Sequence, residues 1–85
     1  MITMRLMMND RVYSGAPEAV VDEMWNECFH RDTLPHIEEY IAYVAGNVFK
    51  FAGFGININA RTIEEKSQRL LEGLVAAGIA YRVEN

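Results

Sequence analysis

The chain has 85 residues, of which 51% are hydrophobic and 24% are charged, and its formal net charge is −4. We expect one folded domain over residues 1–85, because this composition is far from that of disordered chains and this length suits one core. The single cysteine excludes an internal disulfide, and the sequence has neither an apolar run of roughly 18 residues nor a signal-peptide cleavage site, so we expect a cytoplasmic protein without a membrane span.

Two short strands are predicted at the start of the chain. The run ITMRLMM alternates as a half-buried strand does, an Asn-Asp pair supplies turn residues, and RVYSG follows as a second strand. Two hairpin registers are open at this point. A two-residue loop puts Met8 and Arg11 on one face, whereas a three-residue loop puts Val12 and Ser14 on the face of Met4. We prefer the longer loop, because a slip of one residue turns Val12 away from the core.

Two helices are predicted next. The first is expected over residues 17–29, with Pro17 in its first turn, although Ala16 before it is a poor N-cap. The second is expected to begin after Thr33, with Pro35 in its first turn, and to end at Gly53. Because it is apolar on most of its circumference, we expect it to be the central element. The apolar face of the first helix comprises Val20, Val21, Met24, Trp25 and Cys28, and that of the second comprises Ile37, Ile41, Val44, Val48 and Phe51.

A third helix and a third strand complete the predicted fold. Thr62 and Glu65 form a capping box and Gly78 ends the helix, while residues 55–59 fit either a short strand or an extended connection. The inward residues are Ile63, Leu70, Leu71 and Leu74 in the helix and Ile79, Tyr81 and Val83 in the strand. The predicted class is α+β in the order ββαααβ, with a small antiparallel sheet and three helices packed on one face.

The stretch NECFHRDTLPH places the only cysteine, Cys28, near both histidines, His30 and His36. A zinc site needs three or four converging ligands, but Cys28 lies on the apolar face of the first helix and a helical His30 projects about 200° away. We therefore interpret Cys28 as a buried, inert residue, and we predict no metal and no cofactor. Because the chain also lacks a phosphate loop and a GxSxG elbow, we predict that it is not an enzyme.

The second helix carries the residues that we interpret as an interaction surface. Tyrosine is favoured in interfaces, and small residues let another helix approach closely. We therefore predict a small protein-interaction module that self-associates as a symmetric homodimer through this helix. The surface comprises His36, Tyr40, Tyr43 and Asn47 on one flank and Ala42, Gly46 and Phe49 on the other.

An alternative function uses the outer face of the sheet. With the longer hairpin loop, Arg5, Tyr13 and Arg82 share that face, and arginine beside tyrosine on an open sheet stacks bases and holds phosphates. This alternative is an accessory nucleic-acid-binding protein. The charge disfavours it, because residues 17–40 hold seven acids and one base, a net charge of −6, whereas nucleic-acid-binding proteins usually show a basic surface.

Overall fold

The computed structural model describes residues 2–6, 11–28 and 31–83. The strands are β1 (Ile2–Leu6), β2 (Val12–Gly15) and β3 (Ala80–Arg82), and the helices are α1 (Pro17–Asn26), α2 (Ile37–Ala52) and α3 (Ile63–Ala76). A 3₁₀ turn at Arg31–Thr33 lies between α1 and α2. The predicted α+β class and the order ββαααβ are confirmed.

The sheet has the strand order β2-β1-β3, and both pairs of neighbouring strands are antiparallel. Met4 lies opposite Tyr13 on β2 and Arg82 on β3, and Leu6 lies opposite Ala80, so all five residues share one face. Met4, Tyr13 and Ala80 are at most 3% exposed. This is the face that the helices cover.

The preferred register of the first hairpin is wrong. The Leu6 N–H donates to the Arg11 carbonyl (3.0 Å), and Val12 is 54% exposed on the open face. Arg11 and Tyr13 lie on the face of Leu6, which is the face that the shorter loop predicts, but the strands are paired in neither predicted register, since Tyr13 lies opposite Met4. Residues 7–10 lie outside the described residues. Burying the Tyr13 ring removes more apolar surface from water than burying Val12 would, so the larger side chain decides the face.

The last strand also faces the opposite way from the prediction, since Tyr81 is 43% exposed and Ala80 is buried. The end of α3 causes this. Gly78 has a φ of 78°, and the Ile79 N–H donates to the Leu74 carbonyl (2.9 Å), as in a Schellman motif. Ile79 packs against the core as part of this helix cap, so Ala80 is the first residue to face the helices from the sheet.

The start of α1 depends on another helix. Ala16 makes no side-chain capping bond, as its poor N-cap character predicts. Instead, the Glu18 N–H donates to Oε2 of Glu64 on α3 (3.1 Å). A carboxylate is stabilised at the positive N-terminal end of a helix, so this contact joins α1 to α3. At its other end α1 stops at Asn26, before the predicted residue 29.

The start of α2 also differs from the prediction. Its N-cap is His36, because Thr33 belongs to the separate 3₁₀ turn. Pro35 explains the break, since a proline disfavours helical backbone angles at the residue before it, here Leu34. The predicted end is confirmed: Gly53 caps the helix with a φ of 68°, which a residue without a Cβ adopts readily.

The position of α2 corrects the prediction that it is the central element. Its main contacts are with α1 and α3, whereas α1 contacts β2 and α3 contacts β3. The first and third helices, α1 and α3, therefore form the layer that covers the sheet. Phe51, expected in the inward stripe, is 78% exposed in the last turn of α2. The buried residues of this helix are Tyr40, Ile41, Ala45 and Val48.

The third helix follows the prediction most closely. Thr62 Oγ1 accepts a hydrogen bond from the Glu65 N–H (3.1 Å), which is half of the predicted capping box. The inward residues Leu70, Leu71 and Leu74 are at most 2% exposed. Residues 53–60 have no regular secondary structure, so residues 55–59 are an extended connection rather than a strand.

Ser67 on α3 is fully buried, and no described residue offers its hydroxyl a hydrogen-bond partner. We expect Ser67→Ala to raise the free energy of unfolding by about 1 kcal/mol, because an unsatisfied buried hydroxyl costs about 1–3 kcal/mol and alanine is the better helix former. Urea melts of both proteins measure the change. Ser14→Ala is the control, since the Ser14 hydroxyl bonds Thr3 Oγ1 at 2.8 Å and its loss brings no gain. A less stable Ser67→Ala protein would show that this hydroxyl is satisfied.

Candidate interaction surfaces

A polar contact joins β2 to the end of α1. The Tyr13 hydroxyl donates to Glu27 Oε2 (2.6 Å), and the Arg11 guanidinium pairs with the other oxygen of the same carboxylate. Charge-assisted bonds of this kind hold both side chains in one orientation. Glu27 therefore anchors the buried Tyr13 ring. Sequence reasoning missed this residue, because 14 residues separate it from Tyr13 and no local pattern connects them.

Tyr40 belongs to the core rather than to the surface where it was predicted. It is 6% exposed, and burial raises the pKa of its hydroxyl well above the ordinary value. The nearby titratable groups of Cys28, Tyr13, Tyr43 and Glu27 raise this pKa further, in that order. The neutral phenol is therefore the form that the fold holds. Tyr40 is not available to a partner, and the predicted stripe of helix 2 is interrupted there.

Of the cysteine and two histidines considered as metal ligands, the structure describes Cys28 and His36. Cys28 is half-buried rather than buried as predicted, although it packs against the core. His36 is an exposed N-cap, and His30 lies outside the described residues. Within residues 2–6, 11–28 and 31–83, no group of three or more His, Cys, Asp and Glu side chains is placed to hold a metal ion.

The outward side of α2 presents four residues that we name the α2 flank: Ala42, Tyr43, Gly46 and Phe49. All four are exposed, and Phe49 is 65% exposed. Taking about 100° per residue, they lie within about 60° of Gly46 around the helix. A methyl group at Gly46 would have no described heavy atom within 4 Å apart from its own helix and chain neighbours, so this part of the flank is open. Of the other predicted residues, His36 is exposed and Asn47 is half-buried.

The outer face of the sheet does not collect the predicted nucleic-acid site. Arg5 lies on this face, but Tyr13 and Arg82 lie on the face of Met4. Tyr13 is buried, and Arg82 lines a cavity of about 160 Å³ on the helix side of the sheet. The prediction that the three side chains share a face is therefore wrong. It depended on the longer hairpin loop. In the observed registers, Tyr13 on β2 and Arg82 on β3 lie opposite Met4 and not on the face of Arg5.

A shallow groove of about 400 Å³ lies between α1 and the start of α2. Its apolar lining includes Ala19, Trp25 and Ile37, and its carboxylates belong to Glu18, Asp22 and Glu64. The strongly acidic segment at residues 17–40 was visible in the sequence, but the groove was not, because Glu64 reaches it from α3. We refer to these six residues as the acidic groove.

The comparisons with known proteins give no family for this arrangement. No protein-family model, curated protein or solved structure matches the chain. The functional reading therefore depends on the surfaces of the molecule itself. Within the described ranges, no helix combines the length and the hydropathy that crossing a bilayer requires.

The prediction that the chain is not an enzyme is wrong, because the sequence does not support that conclusion. It was drawn only from missing motifs, and the comparisons assign no family that would support it. The same chemistry recurs on unrelated folds with different motifs, so known motifs are an insufficient criterion. The fold also brings Tyr13 and Tyr40 close to the adjacent residues Glu27 and Cys28, which the sequence spacing did not indicate.

Proposed function

We propose that this protein is a small interaction module that self-associates as a symmetric homodimer through the α2 flank. The observation that carries the proposal is the exposure of Phe49, at 65%, in line with the small exposed residues Ala42 and Gly46. A large apolar ring beside a track of small residues lets a second helix approach closely and cover the ring. The proposal keeps the cytoplasmic location expected from the sequence.

The charges along α2 favour an antiparallel pairing of the two copies. Glu39 lies in the first turn and Lys50 in the last, and both lie within about 40° of Gly46 around the helix. When two α2 helices cross near their middles in antiparallel directions, Lys50 of each copy comes beside the partner's Glu39. Two-fold symmetry uses each such pair twice, so this arrangement has complementary charge at both ends of the contact.

Gly46→Glu tests the proposal. In a two-fold interface the new carboxylate enters twice, so we expect the dissociation constant of the dimer to rise about tenfold or more. The folded monomer should tolerate the change, since the space around Gly46 is open. Light scattering over a concentration series measures the mass, and circular dichroism measures the helix content.

Ala76→Glu is the matched control, because it adds one carboxylate at an exposed position of α3. This variant and Glu72→Lys, also exposed on α3, should keep the dimer. A wild-type mass of one chain at high micromolar concentration defeats the proposal. An unfolded Gly46→Glu protein defeats it as well, since the flank would then be interior.

The nucleic-acid alternative has weaker support. Of its three residues only Arg5 lies on the open face, and Tyr13 is 2% exposed. Stacking of bases requires an accessible ring. The exposed aromatic on that face is Tyr81, opposite Arg5, but a single arginine and tyrosine make a small phosphate-binding surface for a chain of net charge −4.

A further inference from the structure

The acidic groove combines an apolar floor with a negatively charged rim, on a surface separate from the α2 flank. The indole of Trp25 lies in the groove, and its Nε1–H donates to the Leu34 carbonyl (2.8 Å), which holds the ring in place. Ala19 and Ile37 continue the apolar lining. Tryptophan is enriched among the residues that contribute most to binding, and binding sites are lined mainly by apolar and aromatic side chains.

Among the residues that the structure describes, the rim of the groove carries three carboxylates and no base. Glu64 is fixed at the N-terminal end of α1 by the Glu18 N–H (3.1 Å). Asp22 accepts a hydrogen bond from the neutral amide of Asn26 (3.3 Å), and none of the ion pairs between described residues includes it. The helix α1, which carries Glu18 and Asp22, contains no Lys or Arg. No cation of this helix therefore offsets the charge of these two carboxylates.

The bases of α3 do not balance the rim either. Lys66 pairs with Glu38 (3.1 Å) and Arg69 pairs with Glu65 (3.5 Å), neither of which lines the groove. A groove with this charge is complementary to a cationic ligand, since unlike potentials favour encounter and set the specificity of an interface.

We propose that the acidic groove binds a basic segment of a partner protein through an arginine side chain. The planar guanidinium stacks on the Trp25 indole while its N–H groups donate to the carboxylates of Glu18 and Asp22. Arginine suits this site better than lysine, because it stacks on aromatic rings and donates in a fixed fork that matches carboxylates. An aliphatic residue next to this arginine covers Ala19 and Ile37. The occupant is a polypeptide rather than a small cation, because the groove is open and its apolar floor extends beyond one ring.

The experiment uses the single tryptophan as its reporter, since Trp25 is the only indole in the chain. A capped hexapeptide of alternating arginine and valine is titrated into the full chain while the tryptophan fluorescence is recorded. The same peptide with neutral citrulline in place of arginine is the ligand control. We expect a saturable change with the arginine peptide, weaker binding as salt is added, and no saturable change with the citrulline peptide.

Two double variants with the same change in net charge separate the groove from the overall charge of the protein. Glu18→Gln with Asp22→Asn removes two rim carboxylates, and we expect it to weaken binding of the arginine peptide about tenfold. Glu23→Gln with Glu72→Gln removes two exposed carboxylates that do not line the groove, and we expect it to bind like the wild type.

Equal binding to both double variants overturns the proposal, because the peptide would then follow net charge alone. The absence of saturation up to about 1 mM peptide also overturns it. Light scattering without peptide tests whether a second copy of the chain fills the groove. If Glu18→Gln with Asp22→Asn splits a dimer that Gly46→Glu leaves intact, the occupant is a second copy and the proposal of a partner protein is wrong.

Discussion

Leu70→Ala is expected to lower the free energy of unfolding by about 2–5 kcal/mol. Leu70 is 0% exposed on α3, the helix that contacts α1, α2 and β3, so no other side chain can easily move into the cavity left by the deletion. The loss combines the transfer free energy of the removed methyl groups with the cost of the residual cavity. For a chain of this size it is a large share of the total stability. Leu74→Ala should show a loss in the same range, since Leu74 is 2% exposed.

Phe51→Ala is the control for these core substitutions. It deletes a larger side chain, but Phe51 is 78% exposed, and we expect a change within about 0.5 kcal/mol. Guanidinium melts with a shared slope measure all three variants. A loss below about 0.5 kcal/mol for Leu70→Ala, or a large loss for Phe51→Ala, would show that α3 or the end of α2 is placed wrongly.

Gly73→Ala is expected to destabilise the protein although alanine is the better helix former. A Cβ at Gly73 would lie 2.6 Å from Cγ2 and 2.7 Å from Cγ1 of Ile56. Both atoms are bonded to the Ile56 Cβ, so the whole side chain has to move. Overpacking of this kind costs about 1–3 kcal/mol, which outweighs the gain in helix propensity of up to about 1 kcal/mol. The connection after α2 can therefore lie close to α3 only because Gly73 has no side chain.

Gly46→Ala is the matched control, because it makes the same substitution in a helix where the space is open. We expect it to raise the free energy of unfolding of the single chain by about 0.5–1 kcal/mol, measured below the concentration at which the proposed dimer forms. Adding Ile56→Ala to Gly73→Ala should cost less than Ile56→Ala costs in the wild type, since the clash is then absent. A Gly73→Ala protein that is as stable as Gly46→Ala would contradict the contact between the connection and α3.

The local parts of the fold were predictable because their causes are local. Thr62 caps α3 by bonding the backbone three residues later, and Gly53 ends α2 with a positive φ. The helical period likewise placed Ala42, Gly46 and Phe49 on one line of the second helix. These relations depend on residues within one or two helical turns, which a single sequence contains.

The faces of the strands were decided only by the tertiary structure. An alternating strand can place either set of side chains inward, and a shift of one residue exchanges them. Tyr13 faces the helices, and its hydroxyl donates to Glu27. Ala80 faces the helices because the backbone cap that ends α3 determines which residues of β3 lie on that face. For this reason Arg5, Tyr13 and Arg82 do not form the predicted site. They would share a face only if Tyr13 and Arg82 pointed away from the helices.

By itself the sequence determined the class, the order of the elements and the helix ends that have their own caps, because hydrophobic periodicity and capping act over a few residues. The tertiary structure decided which surfaces are available. Tyr40 is buried by packing between α2 and the rest of the core, and the acidic groove exists because Glu64 of α3 meets Glu18 at the start of α1. Such contacts join residues that are distant in the chain, so their free energy depends on how the helices and the sheet pack and not on any local pattern.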